Sequence, residues 1–164
     1  MSNSIRFVLL ILFSISIHFT VFAQEESVKI KKLSRDADVI VTGKVTQKES
    51  SWNESKTRIY TRATLEVQEY LKGSDNSSLV EVRYLGGEVG EVGELYSHMP
   101  RFEDDEEVLV FLKKEAKVKE FQVLNGEEGK IKVLGDGKSA AKTTSLSLSL
   151  KDLKSQIKSY LKEQ

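Results

Sequence analysis

Few side chains in this sequence have the types and spacing that catalysis requires. The 164-residue chain contains two histidines, His18 and His98, and no cysteine. Zinc sites are built from imidazole, thiolate and carboxylate ligands, and a catalytic serine needs an adjacent base, often within a G-x-S-x-G turn that is absent here. We therefore expect His98, in a polar loop before Pro100, to have no catalytic role. The sequence predicts a non-enzymatic protein without a metal or cofactor.

A glycine-rich segment, residues 86–94, offers a different chemistry. It combines four glycines with three glutamates. Backbone N–H groups of glycine-rich loops can cradle phosphate, but these carboxylates would repel a phosphate and no Lys-Ser/Thr pair follows. We expect a long barrel loop or ribbon that begins at Gly86 and Gly87, with contact to a partner as the alternative role.

Five consecutive acidic residues follow at positions 103–107. Carboxylate oxygens are the ligands that Ca²⁺ prefers, but an EF-hand also needs alternating ligands and a central glycine, which this run lacks. Charge runs on a protein surface are usually solvated. The pattern favours an exposed turn, and calcium binding is the lesser alternative.

Aromatic side chains provide the clearest binding chemistry. Trp52 lies in a polar stretch between two predicted strands, where it can stack on a sugar, anchor a partner protein or close one end of a barrel. Tyr60 follows on a strand and can extend that surface, although aromatic residues on strands also pack in cores. The predicted binding surface comprises Trp52, Tyr60, Gly86, Gly87, Tyr96, His98 and Phe102.

The first 23 residues have the pattern of a secretory signal peptide. Arg6 supplies a positive charge, residues 7–21 are almost continuously apolar, and small residues occupy the usual cleavage positions before Gln24. Cleavage after Ala23 predicts an exported protein, periplasmic or secreted, with residues 24–164 as a single domain. A retained membrane anchor is the alternative, since the apolar run is just short of the ~18 to 20 residues that span a bilayer.

The nearly equal numbers of acidic and basic residues limit the classes of partner that the protein is expected to bind. The chain has 25 Lys and Arg against 25 Asp and Glu, so loss of Arg6 leaves one excess negative charge. Such a protein has no long-range field that favours nucleic acid or anionic lipid. The lysines of the C-terminal segment are interspersed with Asp152 and Glu163. We expect no nucleic-acid partner and no membrane association after cleavage.

Alternation of apolar residues predicts most of the chain to be strands. Val39, Val41 and Val45 fall on one face of the first strand, and Gly43 within it predicts a bulge or sharp bend. Residues 108–112 are continuously apolar, as in a strand covered on both faces. Further strands are predicted at 59–68 and 79–85, and segments 118–124 and 130–134 flank a glycine-containing connection that predicts a hairpin.

Helical patterns flank these strands. Residues 26–36 carry Val28, Ile30 and Leu33 as one apolar edge. At the other end, Ser149 and Asp152 have capping-box spacing and begin a predicted amphipathic helix, 149–162. The pattern therefore predicts a mainly β barrel or sandwich of five to seven strands with helical ends.

A resemblance to a known family makes the prediction of the fold more specific. The chain contains, in order, Ala37-Asp38-Val39-Ile40-Val41-Thr42-Gly43-Lys44-Val45, Trp52, Ile59-Tyr60-Thr61, Val67 and Leu71-Lys72-Gly73. This ordered set resembles the front half of netrin-like domains, which include the tissue inhibitors of metalloproteinases. The resemblance continues through Gly86-Gly87, Pro100-Arg101-Phe102 and the segment 106–112, a cadence that is similar to bacterial secreted proteins. It implies an OB-like antiparallel β-barrel in a cysteine-free bacterial secreted variant.

The resemblance also limits the function that can be carried over. In the inhibitors, an N-terminal cysteine chelates the zinc of the protease, whereas here the first residue after cleavage would be Gln24. We therefore assign no inhibitory residue. The expected function is binding of another protein through the loops of the barrel. The alternative is a carbohydrate-binding module that uses Trp52 and strand tyrosines to bind an oligosaccharide.

Overall fold

The computed structural model describes residues 27–73, 77–115, 120–133, 140–142 and 147–163. The predicted signal peptide, 1–23, and its cleavage site lie outside these residues. Within the described ranges, no helix has both the length and the apolar character needed to cross a membrane.

The described elements are mostly strands, with a helix at each end. Residues 27–36 form helix α1. The elements that follow are β1 (Val39–Trp52), β2 (Ile59–Lys72), β3 (Leu79–Leu85), β4 (Gly87–Val89), β5 (Val92–Glu94), β6 (Glu107–Lys114), β7 (Phe121–Val123), a 3₁₀ helix (Gly126–Gly129), β8 (Lys130–Lys132), β9 (Ala140–Lys142), β10 (Ser147–Ser149) and helix α2 (Leu150–Lys162).

Five strands close into a barrel. Their order is β1-β2-β3-β7-β6, and β6 pairs again with β1. Four of the five seams are antiparallel, while β3 and β7 meet in parallel at Val82 and Phe121. The mainly β, OB-like barrel with a short N-terminal helix and a C-terminal amphipathic helix is thereby confirmed. Among the strand pairings of the described residues, only the parallel seam differs from the predicted antiparallel arrangement.

Gly43 allows β1 to bend so that it takes part in two seams. The pairing of β1 with β2 shifts register between Thr42 and Gly43, and the same segment of β1 pairs with β6 on its other edge. A Cβ atom on Gly43 would lie 2.5 Å from the backbone oxygen of Glu66. The predicted bend is therefore present, and it depends on close approach of β1 to β2.

Two apolar cores lie on opposite faces of β6. Val108, Val110 and Leu112 point into the barrel, whereas Leu109 and Phe111 pack in the second core together with residues from both helices. All five are essentially inaccessible to solvent. The prediction of a strand covered on both faces is confirmed.

The helices cover the outside of the barrel at the second core. Ile30 and Leu33 of α1 are buried there, but Val28 is 62% exposed, so the predicted apolar edge is wrong at that residue. Helix α2 begins after Ser149, whose Oγ accepts a hydrogen bond from the backbone N–H of Asp152. The predicted cap and the apolar stripe of α2 are confirmed, with Leu153 and Ile157 buried and Leu150, Tyr160 and Leu161 packed around them.

The predicted hairpin between β7 and β8 is wrong. Val123 of β7 pairs with Leu112, and Lys130 of β8 pairs with Val110, so both strands run along the same edge of β6. The chain between them forms a short 3₁₀ excursion and returns to that edge. Gly126 has a φ of 62°, which this tight return requires. The turn-forming sequence between β7 and β8 therefore interrupts their common pairing with β6, and it does not make the two strands pair with each other.

Candidate ligand-binding face

The hairpin of β1 and β2 extends beyond the barrel as an arm. Strand β6 pairs with β1 only as far as Lys44, whereas β1 and β2 remain paired up to Trp52 and Ile59. Trp52 is therefore the last residue of β1, and the prediction that it lies between strands is wrong. Asn53 shapes the turn that follows, because its Oδ1 accepts hydrogen bonds from the N–H groups of Thr57 (2.8 Å) and Arg58 (3.1 Å).

A groove of about 610 Å³ runs along the outer face of β2 and β3 beside this arm. This face and the β1–β2 loop are the surfaces with which OB-folds bind oligosaccharides and oligonucleotides. Two predicted site residues, Trp52 and Tyr60, therefore share one surface. The lining residues are Ser51, Trp52, Asn53, Glu54, Ser55, Tyr60, Arg62, Arg83 and Glu120.

Two arginines and one glutamate organise the groove. Glu120 Oε1 accepts hydrogen bonds from Nε of Arg62 at 2.7 Å and from its Nη2, and this bonding raises the pKa of Arg62. The Nε of Arg83 is 3.8 Å from the other oxygen of Glu120. The guanidinium of Arg83 lies 4.0 Å from the centre of the Tyr60 ring, a cation–π contact. Trp52, Tyr60 and these charged groups are thus held at one site.

Four of the five other predicted site residues line a second cleft. This cleft, of about 820 Å³, lies beneath the β4–β5 hairpin and includes Gly86, Gly87, Tyr96 and Phe102. Its rim carries Leu95, whose side chain is 72% exposed. The seven predicted residues are consequently divided between separate surfaces.

Gly86 and Gly87 attach the β4–β5 hairpin to the arm. Thr61 Oγ1 donates a hydrogen bond to the backbone oxygen of Gly86 at 2.6 Å, and Ser50 Oγ lies 2.8 Å from Thr61 Oγ1. A Cβ atom on Gly87 would overlap both hydroxyl oxygens. These glycines allow close packing of two backbones, which is a structural role.

Tyr96 and Glu94 fix the other end of that hairpin. Glu94 Oε2 accepts hydrogen bonds from the backbone N–H of Ile59 at 3.0 Å and from the Tyr96 hydroxyl at 2.9 Å. The bond from Ile59 is the main reason that the pKa of Glu94 is lowered. The hairpin is therefore fastened at both ends to the same region of the arm.

His98 contributes its backbone to the structure. It is exposed and has a φ of 62°. Its carbonyl oxygen accepts a hydrogen bond from the N–H of Glu127 at 2.9 Å, which joins its loop to the 3₁₀ excursion. The side chain borders a hollow with Tyr96 and Glu106, apart from the groove on β2 and β3.

The acidic run 103–107 forms the predicted exposed turn at residues 103–105, and four of its five carboxylates also pair with lysines. Phe102, immediately before it, packs against the Tyr84 ring with centroids 5.6 Å apart. Within the part of the chain that the structure describes, no group of three or more His, Cys, Asp and Glu is placed to hold a metal ion. The ion pairs are Glu103–Lys132 (2.5 Å), Asp104–Lys48 (3.6 Å), Asp105–Lys44 (2.6 Å) and Glu106–Lys130 (2.7 Å).

Arg62, Arg83 and Glu120 are site residues that the sequence did not reveal. The period-two pattern places Arg62 on the same face of the strand as Tyr60, so the sequence could have indicated Arg62 as a site residue. Arg83 and Glu120 come from β3 and from the segment before β7, and the register of β2 with β3 and the pairing of β3 with β7 bring them to Arg62.

No protein-family model matches this chain, and no relative is found among curated proteins. The resemblance to netrin-like domains therefore stays a prediction. The proposed function is therefore inferred from the fold and from the side chains that line the groove.

Proposed function

We propose that this chain is an exported, non-catalytic binding domain of netrin-like type that holds another protein in the groove on β2 and β3. The single observation that carries the proposal is that Trp52, Tyr60 and Arg83 line the same groove. Tryptophan, tyrosine and arginine are the residue types that dominate the binding energy of protein interfaces.

The groove also has the rigidity that supports binding. Tyr60 and Arg83 lie on paired strands, and their stacking restricts both side chains before a ligand arrives. Side chains that are already ordered lose less conformational entropy on association. The polar residues of the β1–β2 turn, from Asn53 to Ser55, provide hydrogen-bonding groups at the rim.

Site-specific photo-crosslinking tests this proposal. A photoreactive amino acid at Ser51 or Glu54, both exposed beside the groove, should link the protein to a partner in the cells that export it. The matched control position is Ser159 on the exposed side of α2. We expect Trp52→Ala, checked for an unchanged melting temperature, to reduce the products at 51 and 54. Identical products at all three positions, or products that persist with Trp52→Ala, would contradict the proposal.

An oligosaccharide is the second candidate ligand. The observation in its favour is that Trp52 and Tyr60 lie in one groove on the face that OB-folds use for saccharides. A glycan array separates the two functions. Binding by the wild type that is lost with Trp52→Ala supports a carbohydrate-binding module, and an array without any bound glycan removes this candidate.

Export belongs to the same proposal. Its support is the signal-peptide pattern of residues 1–23. Determination of the N-terminus of the processed protein tests it: Gln24 as the first residue is expected, and a chain in the cytoplasm that retains Met1 contradicts it.

A further inference from the structure

The charges of the groove are unevenly paired. Arg62 and Arg83 are directly opposite each other on β2 and β3, while Glu49 of β1 is directly opposite Arg62 on its other side. Glu120 Oε1 accepts hydrogen bonds from Nε and Nη2 of Arg62. Both carboxylates therefore lie closest to the same arginine.

Arg83 retains unused hydrogen-bonding capacity. Its closest approach to Glu120 is 3.8 Å, which is longer than a hydrogen bond, and its side chain is 30% exposed. Among the described residues, none accepts a hydrogen bond from the Arg83 guanidinium. A half-buried guanidinium with its N–H donors free requires water or a ligand to satisfy them.

The orientation of Arg83 suits one class of ligand. The Tyr60 ring, 4.0 Å away, holds the guanidinium and leaves the N–H donors directed along the plane of the group. A guanidinium with two parallel donors matches the two oxygens of a carboxylate. Trp52 lines the same groove and offers an apolar surface for the rest of the ligand.

We propose that Arg83 is the carboxylate-binding group of the groove. The ligand then carries an acidic group, which is the Asp or Glu side chain of a partner protein. This inference rests on the proposed function, because it assigns the chemistry of the ligand to the same groove. Tyr60 is the positioning residue that orients Arg83.

NMR titration of the purified protein tests the inference directly. The probes are N-acetyl-glutamate methylamide and methyl glucuronide, each paired with its neutral counterpart, N-acetyl-glutamine methylamide and methyl glucoside. We expect both the Nε–Hε resonance of Arg83 and the ring resonances of Tyr60 to shift saturably with a carboxylate and to stay unchanged with the neutral probes. A stronger response to the glutamate probe supports a protein ligand, whereas a stronger response to the glucuronide contradicts it and indicates an acidic glycan.

Variants separate a specific site from general attraction of anions. Arg83→Gln should weaken carboxylate binding at least about tenfold, since it removes charge-assisted hydrogen bonds. Glu120→Gln should strengthen it about threefold, because a competing carboxylate beside Arg83 is neutralised. Arg35→Gln is the matched control, because Arg35 is exposed on α1 and pairs with Asp36.

Three results would overturn the carboxylate site: no shift with either acid, equal shifts with the neutral probes, or unchanged binding by Arg83→Gln. These results leave the cross-linking test of the groove unaffected. Conversely, saturable carboxylate binding without any cross-linked partner protein supports this site and contradicts the proposed protein-binding function.

Discussion

Arg62 and Arg83 lie directly opposite each other across the β2–β3 seam, and Glu120 hydrogen-bonds only to the first of them. Like charges in directly opposed positions of a sheet are destabilising. Places where a sequence departs from such a local rule are often functional sites. The arrangement leaves one oriented guanidinium in an open groove beside Trp52 and Tyr60.

Replacement of Gly87 tests the attachment of the β4–β5 hairpin. We expect Gly87→Ala to lower the free energy of unfolding by about 3 kcal/mol, because the new methyl group overlaps Thr61 and Ser50 at a φ of 137°. Gly90→Ala is the control: its φ is 62° but nothing lies within 4 Å of the added atom. It should cost only about 1 kcal/mol. Urea unfolding measures both, and equal losses would contradict the packing role of Gly87.

We expect the protein to be more stable with valine than with threonine at position 42. The residue is 1% exposed, and its hydroxyl oxygen has no hydrogen-bond partner among the described residues. We expect Thr42→Val to stabilise the protein by about 1 kcal/mol, since it removes an unsatisfied buried hydroxyl at nearly constant volume. Thr61→Val, which loses the bond to Gly86, should destabilise it. The midpoints of urea unfolding should move in opposite directions, and a decrease for Thr42→Val contradicts the prediction.

The ion pair of Glu106 and Lys130 is the most buried of the acidic run. Their side chains are 2% and 12% exposed, and Glu106 also accepts a hydrogen bond from the N–H of Glu103. We expect Glu106→Gln to destabilise the protein by about 3 kcal/mol, because Lys130 then keeps a buried, uncompensated charge. Glu103→Gln, at an exposed pair with Lys132, should leave thermal unfolding nearly unchanged. If the two variants unfold alike, burial does not set the strength of these pairs.

Protonation of Glu69 at acidic pH should weaken the packing of helix α2 on the barrel. Hydrogen bonds from Lys154 and Lys158, each 2.8 Å long, lower the pKa of Glu69 from its ordinary value of 4.5. The stabilisation from these bonds is therefore complete above about pH 4.5 and is lost as the pH falls through the lower pKa of the folded state.

Hydrogen exchange of the α2 backbone amides between pH 7 and pH 3 measures this effect. Rates corrected for intrinsic pH dependence should rise at acidic pH in the wild type. Glu69→Gln should show faster exchange already at pH 7, whereas Glu66→Gln, at an exposed position of the same strand, should behave as the wild type. An unchanged profile for Glu69→Gln would show that the lysine contacts do not hold α2.

Local signals in the sequence predicted most of the fold. Alternation placed Val39 and Val41 in the barrel, the continuous apolar run placed 108–112 between two cores, and Ser149 capped the last helix. The failure at β7 and β8 has a physical cause. A glycine-containing turn between two short strands is compatible with a hairpin or with an interrupted strand, and only pairing with β6 distinguishes them.

The candidate site was only partly predictable. Trp52 and Tyr60 were found because they lie close together in sequence, at the end of β1 and the start of β2. Gly86 and Gly87 were also identified, but they serve packing. The sequence by itself determined which residues alternate into a core, where helices begin, that cysteine is absent and that His98 is the one histidine after residue 23. These properties depend on neighbours along the chain. The tertiary structure decided that Arg83 stacks on Tyr60 and that Glu120 bonds Arg62, because the β2–β3 register and the β3–β7 pairing join segments that are distant in sequence.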